Sequence, residues 1–329
     1  MVLRRLVNGY YASQALHVVA TLGIADLLAE GPRTSDELAT TTNTDPSSLY
    51  RVLRALAALG VFIEDEHRRF GLTPVGDHLR SDADPSLQAW TAFVGRSSQW
   101  KAWTRLGDSV RTGENAFRLA HGMGSWDYRA NHPDEGDIFD RAMVSLTSQF
   151  SAAIVAAYDF SRFRRVVDVG GGHGALLADV LRANADTRGV LFDQPHVVAH
   201  APELLSQLGV DDRCEIVGGS FFDGVPGGGD AYILKSVVHD WDDEQSVRIL
   251  KACRSAMDGG AVLLVMERLI APPNLGADDK LSDLNMLVGP GGMERTIEEF
   301  DDLLARGGFR VSQVIATGSA MRVIEAVPA

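Results

Sequence analysis

The segment ILKSVVHDWDDEQSVRIL sets one histidine, His239, between an apolar run and a cluster of acids. Imidazole has an ordinary pKa of ~6.5, so near neutral pH its uncharged form can take a proton from a reacting group. A carboxylate on the other ring nitrogen would fix the tautomer and stabilise the imidazolium that forms. Glu267 is placed for that task, because it ends the apolar run AVLLVME much as His239 follows AYILKSVV. If the two runs are neighbouring parallel strands, both side chains reach the carboxyl edge of a sheet, where open α/β sheets bind ligands. The chemistry that fits is removal of a proton from a weakly acidic group of a bound ligand. Packing as a helix cap is the competing role for His239, but Asp240 and Asp242 cap the helix DDEQSVRILKAC better than histidine does. For Glu267 the competing role is a surface salt bridge.

A second constellation lies upstream. VVDVGGGHGALL reads as strand, glycine turn and helix, with Gly170, Gly172 and Gly174 allowing a tight turn whose N–H groups approach a ligand at the helix N-terminus. Asp193, at the end of the next strand, can accept hydrogen bonds from ribose hydroxyls. Read as GxGxxA through Ala175, the same letters would suit a dinucleotide. On its own the loop points to an adenosine-type cofactor and leaves NAD and S-adenosylmethionine both open. His173, inside the loop, is read as a turn-filling residue.

The elements that must position these groups change character near residue 150. Beyond it, RVVDV, GVLFD, CEIVG, AYILKSVV and AVLLVME alternate with amphipathic helices, and FRVSQVIA, TGSA and MRVIEAV close the pattern as an antiparallel hairpin. The expected fold class is α/β: a Rossmann-like, mostly parallel sheet with helices on both faces, preceded by an N-terminal all-helical winged-helix domain. In that domain DPSSLYRVLRALAALG carries a cap at Asp45, a proline at the first helical position and an apolar face of Leu49, Val52, Leu53, Leu56 and Leu59. VFIEDEHRRFGLT follows as the hairpin of the wing. Further helices are expected over 83–110 and 134–158, with GMGSWDYRANHPDEG as a turn-rich joint between them. The boundaries expected are 1–100 for dimerisation, 101–158 for a helical linker contributing to a substrate pocket, and 159–329 for cofactor binding and catalysis. Trp90, Phe93, Trp100 and Trp103 recur at helical spacing; most such stripes are core, and Trp103 is expected to line a pocket for a flat substrate.

Charge and composition exclude several classes. A net charge of −13 opposes binding to phosphate backbones, and the exposed face of the second winged-helix helix offers mainly Arg51 and Arg54. The domain is therefore expected to hold two copies together rather than read DNA. The two cysteines, Cys214 and Cys253, form no CxxC pair, so no metal site and no disulfide framework are expected. No segment reads as a signal peptide or a membrane span, and the expected location is cytoplasmic.

Taken in order after the glycine loop, GGSFFDGVPGGGDAYILKSVVHDWDDEQSVRIL, AVLLVMERLI and DLNMLVGPGGMERTIEEFDDLLARGGF resemble the S-adenosylmethionine-dependent O-methyltransferases of the plant caffeate and flavonoid type, with their bacterial relatives acting on polyketides, phenazines and other aromatic metabolites. The resemblance runs over nearly the whole chain. It implies S-adenosylmethionine as cofactor, S-adenosylhomocysteine as product, no metal, a homodimer formed through the N-terminal domain, and an aromatic small molecule of secondary metabolism as acceptor.

Residue by residue, the resemblance implies that Gly170 and Gly172 bind the cofactor with Asp168 in support and that Asp193 holds the ribose. Phe221 contacts the adenine, and Ser220 stands where the family has aspartate, keeping one acceptor without its charge. Lys235 and Trp241 lie beside the cofactor. His239 is the general base, with Glu267 and Glu294 as its acidic partners, and Met286 and Met143 pack on the acceptor. Because Thr296 and Glu299 form a capping box for the helix that follows, Glu294 is left to face the site. LVGP is one residue shorter than the plant pattern, so plant substrate preferences do not carry over. Alternatives kept open are N-methylation, hydroxylation or decarboxylation with bound S-adenosylmethionine, and a winged-helix regulator of DNA. An NAD dehydrogenase fits least, since nothing downstream serves hydride transfer.

Overall fold

A computed structural model of the chain describes residues 2–329. Its residues divide into two compact units: those up to Lys101 with His132–Gln149, and Ala102–Asn131 with Phe150–Ala329. The stretch expected as a single linker, 101–158, is thus shared between both.

In the first unit, the helix Ser35–Thr42 begins with a capping box in which Thr34 and Glu37 satisfy each other's end of the turn. The helix Pro46–Ala58 begins on Asp45, which accepts from the Ser48 N–H at 2.8 Å. Leu49, Leu53 and Leu56 of that helix are buried in a core with Val19, Ile24, Leu38, Phe62 and Phe70. Val52 is half-buried, and Leu59, expected on the same face, is 61% exposed because it stands beyond the last turn, before Gly60 at φ 82°. The wing is a small sheet in which β1 (Arg33–Thr34) and β2 (Phe62–Glu64) both pair antiparallel with β3 (Arg69–Leu72).

The second unit is built on seven strands. They are β4 (Arg165–Val169), β5 (Arg188–Asp193), β6 (Cys214–Gly218), β7 (Ala231–Lys235), β8 (Val262–Arg268), β9 (Phe309–Ala316) and β10 (Met321–Pro328). Their order is β6-β5-β4-β7-β8-β10-β9, parallel from β6 to β8 and antiparallel at the β8/β10 and β10/β9 pairs. Runs such as RVVDV and AYILK are apolar throughout because helices cover both faces of the sheet; Val166, Val167, Ile233 and Leu234 are fully buried. The C-terminal hairpin therefore places β10, not β9, against the parallel strands. The joint expected at 122–136 holds more helix than its glycines implied: Ser125–Asn131 is helical, and Pro133 opens a 25-residue helix to Ala157. Pro133 suits a first helical turn, where its missing N–H costs nothing.

Among the described residues no helix is long and apolar enough to cross a membrane.

Candidate active site

The site is built along the carboxyl edge of the parallel strands in the second unit. After β4 the chain turns through Gly170, Gly172 and Gly174 at φ 73°, 60° and 85°, a left-handed region that side chains other than glycine adopt only with strain. Gly170 N–H donates to Phe192 O at 2.8 Å. Asp193, at the end of β5, accepts from Gly172 N–H at 2.8 Å and from Gln194 N–H at 2.7 Å, one on each oxygen. A Cβ on Gly172 would meet nothing within 4 Å, so the loop leaves open space on that side.

Beneath the loop lies buried Asp168, 2% exposed, whose carboxyl is pushed up to about 7 by burial, with Lys235 opposing and Asp193 adding to the rise. Lys235, at the end of β7, is itself brought down to about 8 by burial against the pull of Glu267 and Asp168. These two residues stand near the carboxyl ends of adjacent strands.

Phe221 stands 3.7 Å from where a Gly170 Cβ would be, and its ring meets those of Phe222 and Trp241 edge-on at 4.9 and 5.8 Å. Trp241 in turn stacks with Trp126 at 6.0 Å. The Ser220 hydroxyl accepts from Phe222 N–H at 3.2 Å, so it shapes this turn with one lone pair and keeps the other.

His239 does not continue the strand. β7 ends at Lys235, Ser236 takes φ 53°, and His239 lies on a 3-10 turn, Val238–Asp240. That turn exposes three N–H groups, and Glu267 Oε1 takes all of them: Val237 at 3.1 Å, Val238 at 2.9 Å and His239 at 3.3 Å. The other oxygen of Glu267 stands 3.0 Å from His239 Nδ1, and Glu294 Oε1 stands 3.4 Å from the same nitrogen. Both carboxylates are buried. Glu294 is held by the Ser282 hydroxyl at 2.7 Å, while its own N–H donates to Asp283 at 3.0 Å. The capping roles fall elsewhere, as expected: Asp242 accepts from Gln245 N–H, and Thr296 forms a reciprocal box with Glu299.

Burial disfavours a charged imidazole at His239, but Glu267 and Asp240, with hydrogen bonds to Glu267 and Glu294, outweigh it and hold its pKa well above the usual value. The ordinary ~6.5 assumed from sequence is therefore too low for this histidine. The same burial pushes Asp240 up to about 6, with His239 opposing. Asp240 Oδ1 is 3.6 Å from His239 Nε2, too far for a hydrogen bond, so that nitrogen keeps its proton-accepting position. The three ligand atoms of His239, Glu267 and Glu294 lie within 4.8 Å of one another, a spacing that a cation could also use.

Met286 is buried on the helix Ala277–Val288, four residues after Ser282 and so on the face that reaches Glu294. Trp103 is 37% exposed and, among the described residues, joins none of the rings around Trp241. Met143 belongs to the first unit. Asp240, read from sequence as a helix cap, leaves that role to Asp242 and stands beside His239 instead. Ser282, Asp283 and Trp126 carry no signal in the sequence, because they act through contacts between distant segments.

Two family models match the chain: an O-methyltransferase domain over residues 103–310 and an O-methyltransferase dimerisation domain over residues 4–82. The chain is 42% identical over 327 residues to the phenazine O-methyltransferase of Lysobacter antibioticus, covering 99% of this chain and 96% of that protein. It is 41% identical over 314 residues to the 8-amino-8-demethylriboflavin N,N-dimethyltransferase of Streptomyces davaonensis, covering 94% and 90%. The crystal structure of an O-methyltransferase from neocarzinostatin biosynthesis, in complex with S-adenosylmethionine and 2-hydroxy-5-methyl naphthoic acid, superposes with a TM-score of 0.80 at 33% identity over 96% of each chain.

Proposed function

We propose a course for the reaction from one premise: this chain belongs to the O-methyltransferase family and is an S-adenosylmethionine-dependent O-methyltransferase. The residues fit that cofactor. The glycine loop offers backbone and space, Asp193 sets its carboxylate against the loop at Gly172 N–H, and Phe221 and Trp241 present flat rings beside the loop. In this reading Gly170, Gly172, Asp193, Ser220, Phe221, Lys235 and Trp241 hold it, with Asp168 beneath. When bound, S-adenosylmethionine supplies a methyl group activated by its sulfonium.

The chain's part is then to orient the acceptor and remove its proton. His239 Nε2 takes the hydroxyl proton as the oxygen attacks, so the O–H bond breaks and an N–H bond forms. Glu267 stabilises the imidazolium through Nδ1, and Glu294 adds to that field. General-base help of this kind is worth ~10²–10⁴-fold, while correct placement of the reactants supplies up to ~7–11 kcal/mol. Met286 and Trp103, both of the second unit, are assigned to the acceptor pocket.

The acceptor class that fits is a hydroxylated aromatic, the kind named for the phenazine and naphthoate relatives. An N-methyl acceptor, named for the riboflavin relative, would need no base, and the buried acids around His239 are what favour oxygen. The first unit serves as a homodimer interface: its helix Val2–Val7 exposes Val2, Leu3, Leu6 and Val7. Against a DNA-reading role, Arg54 is spent over the Tyr50 ring and the net charge is −13. A cytoplasmic location accords with this role. The test is to incubate the enzyme with S-adenosylmethionine and paired hydroxy- and amino-aromatics and follow methyl gain by mass spectrometry. Transfer confined to hydroxyls is expected; transfer to amines alone would refute the assignment to oxygen.

A further inference from the structure

The turn that carries His239 is gripped from two sides by buried charges of opposite sign. Glu267 takes its N–H groups, as described. On the carbonyl side stands Arg295, 1% exposed, donating from Nη1 to Val238 O at 3.2 Å and from Nη2 to Trp241 O at 3.0 Å. Asp243 balances the guanidinium, with Oδ1 2.8 Å from Nη2 and 3.2 Å from Nε. Ile270 N–H donates to Arg295 O at 3.0 Å, tying the arginine to the chain that leaves Glu267. Three residues earlier, Gly292 backs directly onto the same turn. A Cβ there would fall 2.1 Å from His239 O and 2.4 Å from both Asp240 C and Trp241 N. These are backbone atoms with no freedom to swing aside, so the turn itself would have to move.

We propose that Gly292 and Arg295 are positioning residues that set where the His239 imidazole stands, acting through the backbone of its turn. The inference rests on the reading of His239 as the base. It gives the three residues of the ERT segment separate tasks: Glu294 meets the imidazole, Arg295 fixes the turn beneath it, and Thr296 starts the next helix. Arginine is required because a planar fork serves two carbonyls of the turn, the Met293 carbonyl and one carboxylate at once, which a lysine ammonium on a flexible stem does less well. Gly292 is required for its absent side chain.

The experiment compares Gly292→Ala, Arg295→Met and Arg295→Lys with Met293→Ala, a substitution at a 41% exposed side chain in the same segment. S-adenosylhomocysteine binding by calorimetry counts competent sites, and kcat is expressed per site. Since misplacement by about 1 Å costs ~10²-fold, kcat should fall by that order in Gly292→Ala and Arg295→Met. Acceptor KM and S-adenosylhomocysteine affinity should stay within about twofold, and Arg295→Lys should recover part of the rate. Met293→Ala should match the parent. A parental kcat per site in Gly292→Ala and Arg295→Met overturns the proposal, whatever happens to their Tm. So does a joint loss of kcat, KM and product binding in all three, which would make these residues props of the whole unit. His239→Ala run in parallel separates the two claims: if it is fully active the base reading fails, whereas an inactive His239→Ala beside unaffected Gly292 and Arg295 variants sinks only the positioning role.

Discussion

Two carboxylate clusters lie on neighbouring strands of the large sheet and have opposite balances of donors and acceptors. On β10, Glu325 gathers the Tyr158 hydroxyl, Arg162, the Ser312 hydroxyl at 2.7 Å and Gln313 at 3.1 Å. Donors outnumber the single acid. Although burial alone would raise it, Glu325 is brought down to about 2 by these hydrogen bonds, from Tyr158, Ser312, Gln313 and Arg162. Tyr158 is driven the other way, beyond its ordinary range, by burial and by Glu325. On β8, Glu267 and its neighbours Glu294 and Asp240 surround one imidazole, and acceptors are in surplus. That surplus favours the charged form of the imidazole. The first arrangement is a satisfied network that fixes structure; the second is poised to keep a proton once it arrives, which is what a base needs from its surroundings.

His239→Ala should cost the most, ~10²–10⁴-fold in kcat, with S-adenosylhomocysteine binding unchanged by calorimetry. Glu267→Gln removes the charge on Nδ1 and weakens the acceptor for three N–H groups; kcat should drop by ~10²-fold. In the same variant the acid limb of kcat/KM should move to lower pH, because the imidazole loses the carboxylate that raises its pKa. A limb that stays in place would separate Glu267 from the base.

Glu294→Gln, which keeps a partner for Ser282, should lower kcat by about tenfold, the lower end of what a second charge at this distance adds. Glu325→Gln should leave kcat per folded enzyme alone and instead reduce stability by ~2 kcal/mol at neutral pH, read from denaturant unfolding. Its sign follows from the lowered pKa: the contribution is present above the unfolded value of ~4.3 and is lost as pH falls toward about 2. Loss of turnover in Glu325→Gln without loss of stability would erase the contrast. A chelator should change nothing, and inhibition by it would give the 4.8 Å cluster a cation instead of a proton.

Much of the frame was legible. Parallel strands covered on both faces leave unbroken apolar runs, and a glycine loop between strand and helix is a local event, so β4 and Gly170–Gly174 could be read from adjacent letters. The convergence of His239 and Glu267 followed from strand ends alone. Asp45, Asp242 and Thr296 announced their helices because caps act within four residues.

What stayed hidden depends on distant partners. AYILKSVV reads as one strand, yet Glu267, thirty residues on, satisfies the N–H groups that let the chain leave the sheet after Lys235. The burial of Arg295 has no local signal, since the turn carbonyls it meets, those of Val238 and Trp241, lie more than fifty residues away. The elevated pKa of His239 could not be foreseen while the number of acids around it was unknown. Ser125–Asn131 was missed because three glycines and a proline surround a segment whose helix is a single short one.

His239 takes the acceptor's proton, in this reading, from a setting that makes it a stronger base than ordinary imidazole. The direct measurement is the pH profile of single-turnover methyl transfer to a phenolic acceptor, in the parent and in His239→Ala. The parent rate should climb through a pKa above ~6.5 and then level off. His239→Ala should rise only as the acceptor's own hydroxyl ionises, toward ~10, and converge on the parent there. Superimposable profiles, with equal rates near neutral pH, would contradict it.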